Sequence, residues 1–164
     1  CFRTAAFEPR IKRVIASGVA YDYMQIPPLV SQWLFKLFMN HFRGFTESQA
    51  RKKMKNDPMH MWTLGQVMYI TMQDDLWEAM KTVQWMNAEN LHSERVTQDV
   101  LILTGKEDHF IPFKMHRMQV EALVNARSVT GRVFTRDESA QNHCQIGNVE
   151  LALSEMTDWL SART

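Results

Sequence analysis

The feature that most constrains the fold is a change in hydrophobic pattern along the chain. Apolar runs at residues 11–17, 100–104 and 129–135 have the length of buried strands, and helical stretches follow the last two. Such alternation predicts a parallel sheet with helices on both faces. The pattern is purely helical between residues 22 and 98. We therefore predict an α/β fold, in which a partial doubly wound parallel sheet carries an inserted helical cap.

This pattern divides the chain into three segments. Residues 1–21 and 99–164 form the predicted sheet layer, and residues 22–98 form a predicted cap of four helices. Capping signals set the helix boundaries in the cap. We expect Pro27-Pro28 to begin the first cap helix, Gly44 to end it, Thr46 to cap the second, Asp57-Pro58 to open the third and Asp74 or Asp75 to cap the fourth.

Three further helices are predicted in the sheet layer. The first covers about Cys1 to Phe7, and the second covers about 113–126. The third follows His143 near the end of the chain. Apolar spacing places Met115, Met118, Ala122 and Leu123 of the second helix, and Val149, Ala152, Leu153, Met156 and Leu160 of the third, towards the sheet.

Composition excludes several classes of partner. The chain has 19 Lys and Arg against 18 Asp and Glu, so we expect no nucleic-acid or anionic-membrane binding. No apolar run approaches the roughly 20 residues that span a bilayer. Two cysteines, Cys1 and Cys144, form no disulfide framework, and no secretory signal opens the sequence, so we expect a cytoplasmic protein. Histidine spacing indicates no metal site, and no cofactor is expected.

Two polar residues follow neighbouring strands of the predicted sheet. Asp108 comes just after the strand at 100–104, and His143 lies in a polar loop after the strand at 129–135. The carboxyl ends of parallel strands share one edge, so these side chains should lie close together. Histidine titrates near neutral pH and suits a general base, whereas a carboxylate fixes its tautomer and stabilises the imidazolium. We predict that Asp108 and His143 form a catalytic pair.

Other residues near this pair have less specific interpretations. Glu107 could replace Asp108 as the carboxylate, although a solvated role is expected. His109 and His116 are expected at the surface or in support of the pair. Cys144 is expected to pack in a pocket or in the core. Cys1 has no neighbour that would activate a thiol.

The cap is rich in side chains that suit irregular apolar ligands. Nine of twelve methionines and four of five tryptophans lie between Met24 and Met86. Part of this set forms the helix core, but methionine also adapts well to binding surfaces. We expect a pocket for a small, partly apolar substrate, lined by Trp33, Met61, Trp62, Met68, Tyr69 and, from the loop after Asp108, Phe110.

Three short segments resemble parts of capped α/β-hydrolases. Residues 105–112, Gly-Lys-Glu-Asp-His-Phe-Ile-Pro, resemble the acid loop, and Asn142-His143-Cys144 resembles the histidine loop. Residues 4–11, Thr-Ala-Ala-Phe-Glu-Pro-Arg-Ile, resemble the segment that follows the nucleophile elbow. The resemblance is to the group that includes the pseudooxynicotine-hydrolase-like and acylaminoacyl-peptidase-like esterases. It implies an α/β-hydrolase sheet, with Asp108 as the acid and His143 as the base.

The same resemblance implies that the nucleophile lies elsewhere. Triad residues in this fold follow the order Ser…Asp…His, with serine on a Gly-x-Ser-x-Gly turn. The 164 residues contain no such turn. We therefore expect the C-terminal part of a serine hydrolase that cleaves an ester, an amide or a carbon–carbon bond next to a carbonyl, inactive without its N-terminal half. The expected partners are that half and a second copy in a homodimer. The alternative is a non-catalytic α/β-hydrolase-like fragment or interaction module.

Overall fold

The computed structural model describes residues 2–163 as mixed α/β structure, and the predictions for Cys1 lie outside these residues. The strands are β1 (Arg13–Ser17), β2 (Asp99–Gly105) and β3 (Ser128–Phe134). The helices are α1 (Phe2–Ala5), α2 (Leu29–His41), α3 (Arg43–Asn56), α4 (Pro58–Thr71), α5 (Leu76–Gln84), α6 (Ala88–Leu91), α7 (Lys114–Ala122) and α8 (Val149–Ser161). None of the helices among these residues has the length and apolar character that crossing a lipid bilayer requires.

The chain folds as two compact units. The first runs to Asp22 and resumes at Ala88, and it contains all three strands described. The second spans Tyr23–Asn87 and contains α2 to α5. The predicted cap extends further, to residue 98, and so includes α6, which belongs to the unit with the sheet.

The three strands form one parallel sheet in the order β1-β2-β3, which confirms the predicted parallel sheet. All seven residues of the central strand β2 are buried, as expected for a parallel strand covered on both faces. Alternate residues of β2 enter two separate cores. Val100 and Ile102 pack in one core with Phe2 and Ala5 of α1, whereas Leu101 and Leu103 pack in the other with Phe134, Ala152 and Trp159. Helices therefore lie on both faces of the sheet.

Helix α8 presents a face to the sheet that only partly matches the predicted one. Three residues that were expected to face the core are exposed: Val149, Leu153 and Leu160. Ala152 is buried and Met156 packs partly on the core, as predicted. Trp159 is buried as well, and its indole N–H donates to the Thr130 hydroxyl of β3 at 3.1 Å. Tryptophan buries a large apolar area and needs a partner for its N–H. Trp159, which the apolar spacing did not include, therefore sets the rotation of the helix.

Helix α7 is shorter than predicted and carries an unexpected buried amide. It ends at Ala122, and Met115 faces the core as predicted, whereas Met118 is only half-buried. Gln119 is fully buried, and its side-chain amide donates to the Ser93 hydroxyl at 3.0 Å. A buried polar side chain at a core position is invisible to a pattern based on apolar spacing.

The helical unit confirms three of the four predicted helix starts. Helix α2 begins directly after Pro27-Pro28, and aspartates cap two later helices. The Asp57 carboxylate accepts the backbone N–H groups of Met59 and His60 at the start of α4. The Asp75 carboxylate accepts the N–H of Glu78 at the start of α5. Both are side-chain caps of the kind that stabilises a helix N-terminus. Below them, Met39, Leu76, Trp77 and Met80 form the buried core of this unit.

The predicted boundary between the first two cap helices is wrong. Helix α2 ends at His41 and α3 begins at Arg43, so both Gly44 and Thr46 lie inside α3. The Thr46 hydroxyl does not cap a helix but donates to the backbone oxygen of Phe38 in α2 at 3.2 Å. Phe42 leaves helical geometry by itself, at φ −131°, and provides the break that the sequence suggested for Gly44.

Candidate functional site

Asp108 and His143 meet at the carboxyl edge of the sheet. Asp108 lies in the loop after β2, and His143 begins a single 3-10 turn, His143–Gln145, in the segment after β3. The Nδ1 atom of His143 lies 2.7 Å from Oδ2 of Asp108. The predicted proximity of these two side chains is confirmed. Parallel strand ends bring them together although they are 35 residues apart.

The loop after β2 encloses the Asp108 carboxylate. This side chain is 0% exposed. Its Oδ1 accepts the backbone N–H groups of Phe110 at 2.8 Å and Ile111 at 2.9 Å, and its Oδ2 faces the imidazole. Asp108 is therefore bound on both oxygens and held in one orientation.

The hydrogen bond to Asp108 determines the tautomer of His143. An ionised carboxylate can only accept, so Nδ1 carries the proton and Nε2 of the neutral ring keeps its lone pair. Within residues 2–163, the ring makes no second hydrogen bond. The His143 side chain is 30% exposed, and Phe110 contacts it edge-on at a ring-centroid distance of 5.1 Å. Nε2 is therefore the basic atom of the pair.

Two glycines allow the ends of β1 and β2 to approach the segment that carries His143. Gly18 follows β1 at φ +62°, and a β-carbon there would lie 3.0 Å from Cε1 of His143. A β-carbon on Gly105 would lie 2.4 Å from the backbone oxygens of Gln141 and Asn142. In the sequence, each glycine directly follows a predicted strand, at 11–17 or at 100–104. Their positions, directly after β1 and at the end of β2, were the signal for these close contacts.

The turn that carries His143 is strained. Cys144 and Gln145 both have left-handed backbone angles, φ 51° and φ 53°. This conformation costs an L-residue about 1–2 kcal/mol. Such strain is often found at functional sites and persists where surrounding contacts hold it.

The turn places the Cys144 side chain at the protein surface, so its predicted packing in a pocket or in the core is wrong. Cys144 is exposed, and Gln145 occupies the inward position instead. Partial burial of the thiol and the nearby Asp108 carboxylate raise the pKa of Cys144 above its usual value. A higher pKa reduces the thiolate fraction, so this thiol is a poor nucleophile.

The neighbouring acid has a different partner. Glu107 forms an ion pair with the Arg136 guanidinium, with Nε to Oε1 at 3.2 Å. Hydrogen bonding from Arg136 lowers the pKa of Glu107. This arrangement favours Asp108 over Glu107 as the partner of His143.

The two other histidines have separate environments. The exposed His109 packs on Phe110, with ring centroids 4.1 Å apart. His116 places Nδ1 2.9 Å from the Thr104 hydroxyl, and burial lowers its pKa. A β-carbon on Gly131 would lie 2.8 Å from its Nε2, so the ring is packed closely against β3.

The six predicted substrate-binding residues are divided between the two units. Phe110 lies beside His143, whereas the other five belong to the helical unit. Trp33, Met61, Trp62 and Tyr69 are exposed there, and Met68 packs partly against the core of that unit. Met68 and Tyr69 line a cavity of about 670 Å³. A substrate-binding role for these residues stays a prediction.

The geometry supports proton-transfer chemistry. An imidazole that is held by a carboxylate can remove a proton from a hydroxyl group or water and return it to a leaving group. Over residues 2–163, no cluster of three or more His, Cys, Asp or Glu side chains could hold a metal ion.

No known protein family, curated protein or solved structure matches the chain.

Proposed function

We propose that this chain is the C-terminal part of a serine hydrolase of the α/β-hydrolase type. It supplies the acid–base pair that cleaves an ester, an amide or a carbon–carbon bond next to a carbonyl. The observation that carries this proposal is the 2.7 Å contact between His143 and a carboxylate that is 0% exposed. The backbone N–H groups of Phe110 and Ile111 hold the other carboxylate oxygen, so the pair is preorganised. The resemblance of both loops to those of capped α/β-hydrolases adds support.

The proposed reaction uses His143 twice. Nε2 first removes the proton from a serine hydroxyl as the serine oxygen attacks the substrate carbonyl. Asp108 keeps the ring in position and stabilises the imidazolium that forms. The imidazolium then gives its proton to the leaving group, and a water molecule, activated by the same nitrogen, hydrolyses the acyl-enzyme. The serine and the oxyanion-binding amides come from polypeptide outside these 164 residues.

In this proposal the helical unit is a cap that binds the acyl or leaving group. Exposed aromatic and methionine side chains on α2 and α4, among them Trp33, Trp62 and Tyr69, support it. Such side chains suit a small, partly apolar substrate. The proposed partner is the N-terminal half of the hydrolase, and the complete protein could also pair as a homodimer.

A second Asp–His pair in the chain provides a matched control. Nδ1 of His60 lies 2.6 Å from Oδ2 of Asp57, a contact like that of the proposed catalytic pair. Both side chains are nearly half exposed, and the Asp57 carboxylate also caps α4. Removal of His60 therefore deletes an Asp–His hydrogen bond without changing the buried pair.

The test is hydrolysis of an activated ester by the complete protein. The coding sequence upstream of Cys1 is read in frame, and the whole product is expressed. His143→Ala should lower kcat/KM for a p-nitrophenyl ester by several orders of magnitude, up to the roughly 10⁶-fold that loss of a triad histidine costs in kcat. His60→Ala should change it by less than about twofold, as expected for an exposed site.

Two results would contradict the proposal. One is a complete protein that hydrolyses the ester equally well with and without His143. The other is a complete protein that has no serine nucleophile and no hydrolase activity. The second result would favour the alternative, a non-catalytic interaction module with an α/β-hydrolase-like fold.

A further inference from the structure

A buried glutamine ties the His143 turn to the end of β1. Gln145 is 1% exposed. Its Oε1 accepts the hydroxyl of Ser17, the last residue of β1, at 2.9 Å. Within residues 2–163, the Gln145 side-chain nitrogen makes no hydrogen bond. Among the described residues, the hydrogen bond from Ser17 is therefore the one that orients the Gln145 amide.

The geometry of the turn makes such a tie necessary. Cys144 and Gln145 follow His143 directly, and both have left-handed backbone angles. Neither is a glycine, so the turn has a local tendency to relax. His143 is its first residue, and relaxation would rotate the imidazole relative to Asp108. A contact from outside the turn is needed to keep it in this shape.

The same strand end also provides the space for the ring. Gly18 comes directly after Ser17, and its missing β-carbon leaves room for Cε1 of His143. The backbone N–H of Gly18 donates to the Leu103 oxygen of β2 at 3.0 Å, which fixes the end of β1 to the sheet. Ser17 therefore binds the end of the turn, while Gly18 accommodates its beginning.

We propose that Gln145 is a positioning residue for the catalytic base. Its hydrogen bond from Ser17 holds the strained turn against β1, so that Nδ1 of His143 stays on Asp108. The catalytic meaning of this inference rests on the proposed hydrolase function. The positioning itself is a property of the His143–Asp108 hydrogen bond and is measured without any substrate.

A second serine–glutamine pair separates positioning from simple stability. Gln119 is also fully buried, and its amide donates to the Ser93 hydroxyl at 3.0 Å in the same unit. Ser93→Ala therefore removes a hydrogen bond to a buried glutamine that does not belong to the His143 turn. Ser17→Ala removes the corresponding hydrogen bond in the His143 turn, which Ser17 donates to Gln145.

The experiment follows the imidazole N–H of His143 by nuclear magnetic resonance in the complete protein, labelled with ¹⁵N in histidine. The His143 signal is identified by its loss in His143→Gln. Ser17→Ala should speed solvent exchange of the Nδ1 proton by about fivefold, equivalent to about 1 kcal/mol for one net hydrogen bond. Gln145→Met should act similarly, and the double variant should add little, because both changes break one contact.

Two further variants complete the test. Ser17→Thr keeps the hydroxyl and should restore slow exchange. Ser93→Ala should leave the His143 signal unchanged, even where it lowers the free energy of unfolding. Backbone amide spectra show whether each variant is folded, and Ser17→Ala removes only one oxygen atom.

The inference is overturned if folded Ser17→Ala and Gln145→Met proteins retain the wild-type His143 exchange rate. It is also overturned if Ser93→Ala accelerates exchange as much as Ser17→Ala does, since Gln145 would then act only through stability. The hydrolase proposal fails differently, by ester hydrolysis that persists in His143→Ala. Either result can occur without the other.

Discussion

Replacement of Gly18 by alanine tests how closely the end of β1 fits the imidazole of His143. The new β-carbon would lie 3.0 Å from Cε1 and 3.3 Å from Nδ1 of the ring. Carbon atoms pack best at about 3.5–4.0 Å, so the ring has to move by about 0.5 Å. Alanine must also adopt φ +62°, which costs about 1–2 kcal/mol. Both effects act directly beside the hydrogen-bonded Asp108–His143 pair.

The expected losses of stability and of kcat/KM follow from these two effects. The free energy of unfolding should fall by about 1–2 kcal/mol, chiefly from the left-handed backbone. A misplacement of about 1 Å in a catalytic group costs about 10²-fold in rate, so a shift of half that size should cost about tenfold in kcat/KM. Urea unfolding and hydrolysis of an activated ester by the complete protein measure the two effects separately.

Gly65→Ala is the matched control for this substitution. Gly65 lies inside α4, and a β-carbon there would meet no other atom within 4 Å. Alanine favours a helix interior by up to about 1 kcal/mol over glycine, so this variant should stabilise the helical unit and leave activity unchanged. A Gly18→Ala protein with wild-type stability and wild-type activity would contradict the close packing of the His143 ring against Gly18.

Three further predictions concern other residues. Asp108→Asn should lower kcat/KM on an activated ester by about 10⁴-fold, as for a triad aspartate, whereas Glu107→Gln should change it by less than about twofold. Leu76→Ala in the helical core should lower the free energy of unfolding by about 2–5 kcal/mol in a urea titration, because Leu76 is fully buried. Hydrogen bonding from Arg132 lowers the pKa of Glu138 from 4.5 to about 2. The stability that this pair contributes is therefore present above pH 4.5 and lost as the pH falls towards 2. Glu138→Gln should flatten the pH dependence of the urea midpoint over that range.

Much of the fold could be predicted from local signals. The runs around Val14, Ile102 and Val133 have strand length, and helical stretches between two of them imply parallel pairing. Asp57, and one of Asp74 and Asp75, could be recognised as caps because a carboxylate at that position binds free backbone N–H groups. The structure shows that Asp75 is the second cap. The meeting of Asp108 and His143 followed from the rule that parallel strands end at one edge.

The remaining features depend on contacts between distant segments. The rotation of α8 depends on the hydrogen bond between Trp159 and Thr130, which the apolar spacing within the helix does not contain. The left-handed angles of Cys144 and Gln145 have no local signal, since neither residue favours that conformation. Gln145 reaches Ser17, 128 residues away in the chain. Positioning groups of this kind become visible only when the strand ends are assembled.

Reaction of the complete protein with a fluorophosphonate tests whether His143 activates a serine nucleophile. The probe forms a phosphorus–oxygen bond to an activated serine as fluoride leaves, and mass spectrometry identifies the labelled residue. We expect one labelled serine, on a Gly-x-Ser-x-Gly turn N-terminal to this segment. The labelling rate should fall by about 10²–10⁴-fold in His143→Ala and stay unchanged in His60→Ala. A complete protein without a labelled serine, or equal labelling rates in the wild-type and His143→Ala proteins, would contradict the proposed hydrolase function.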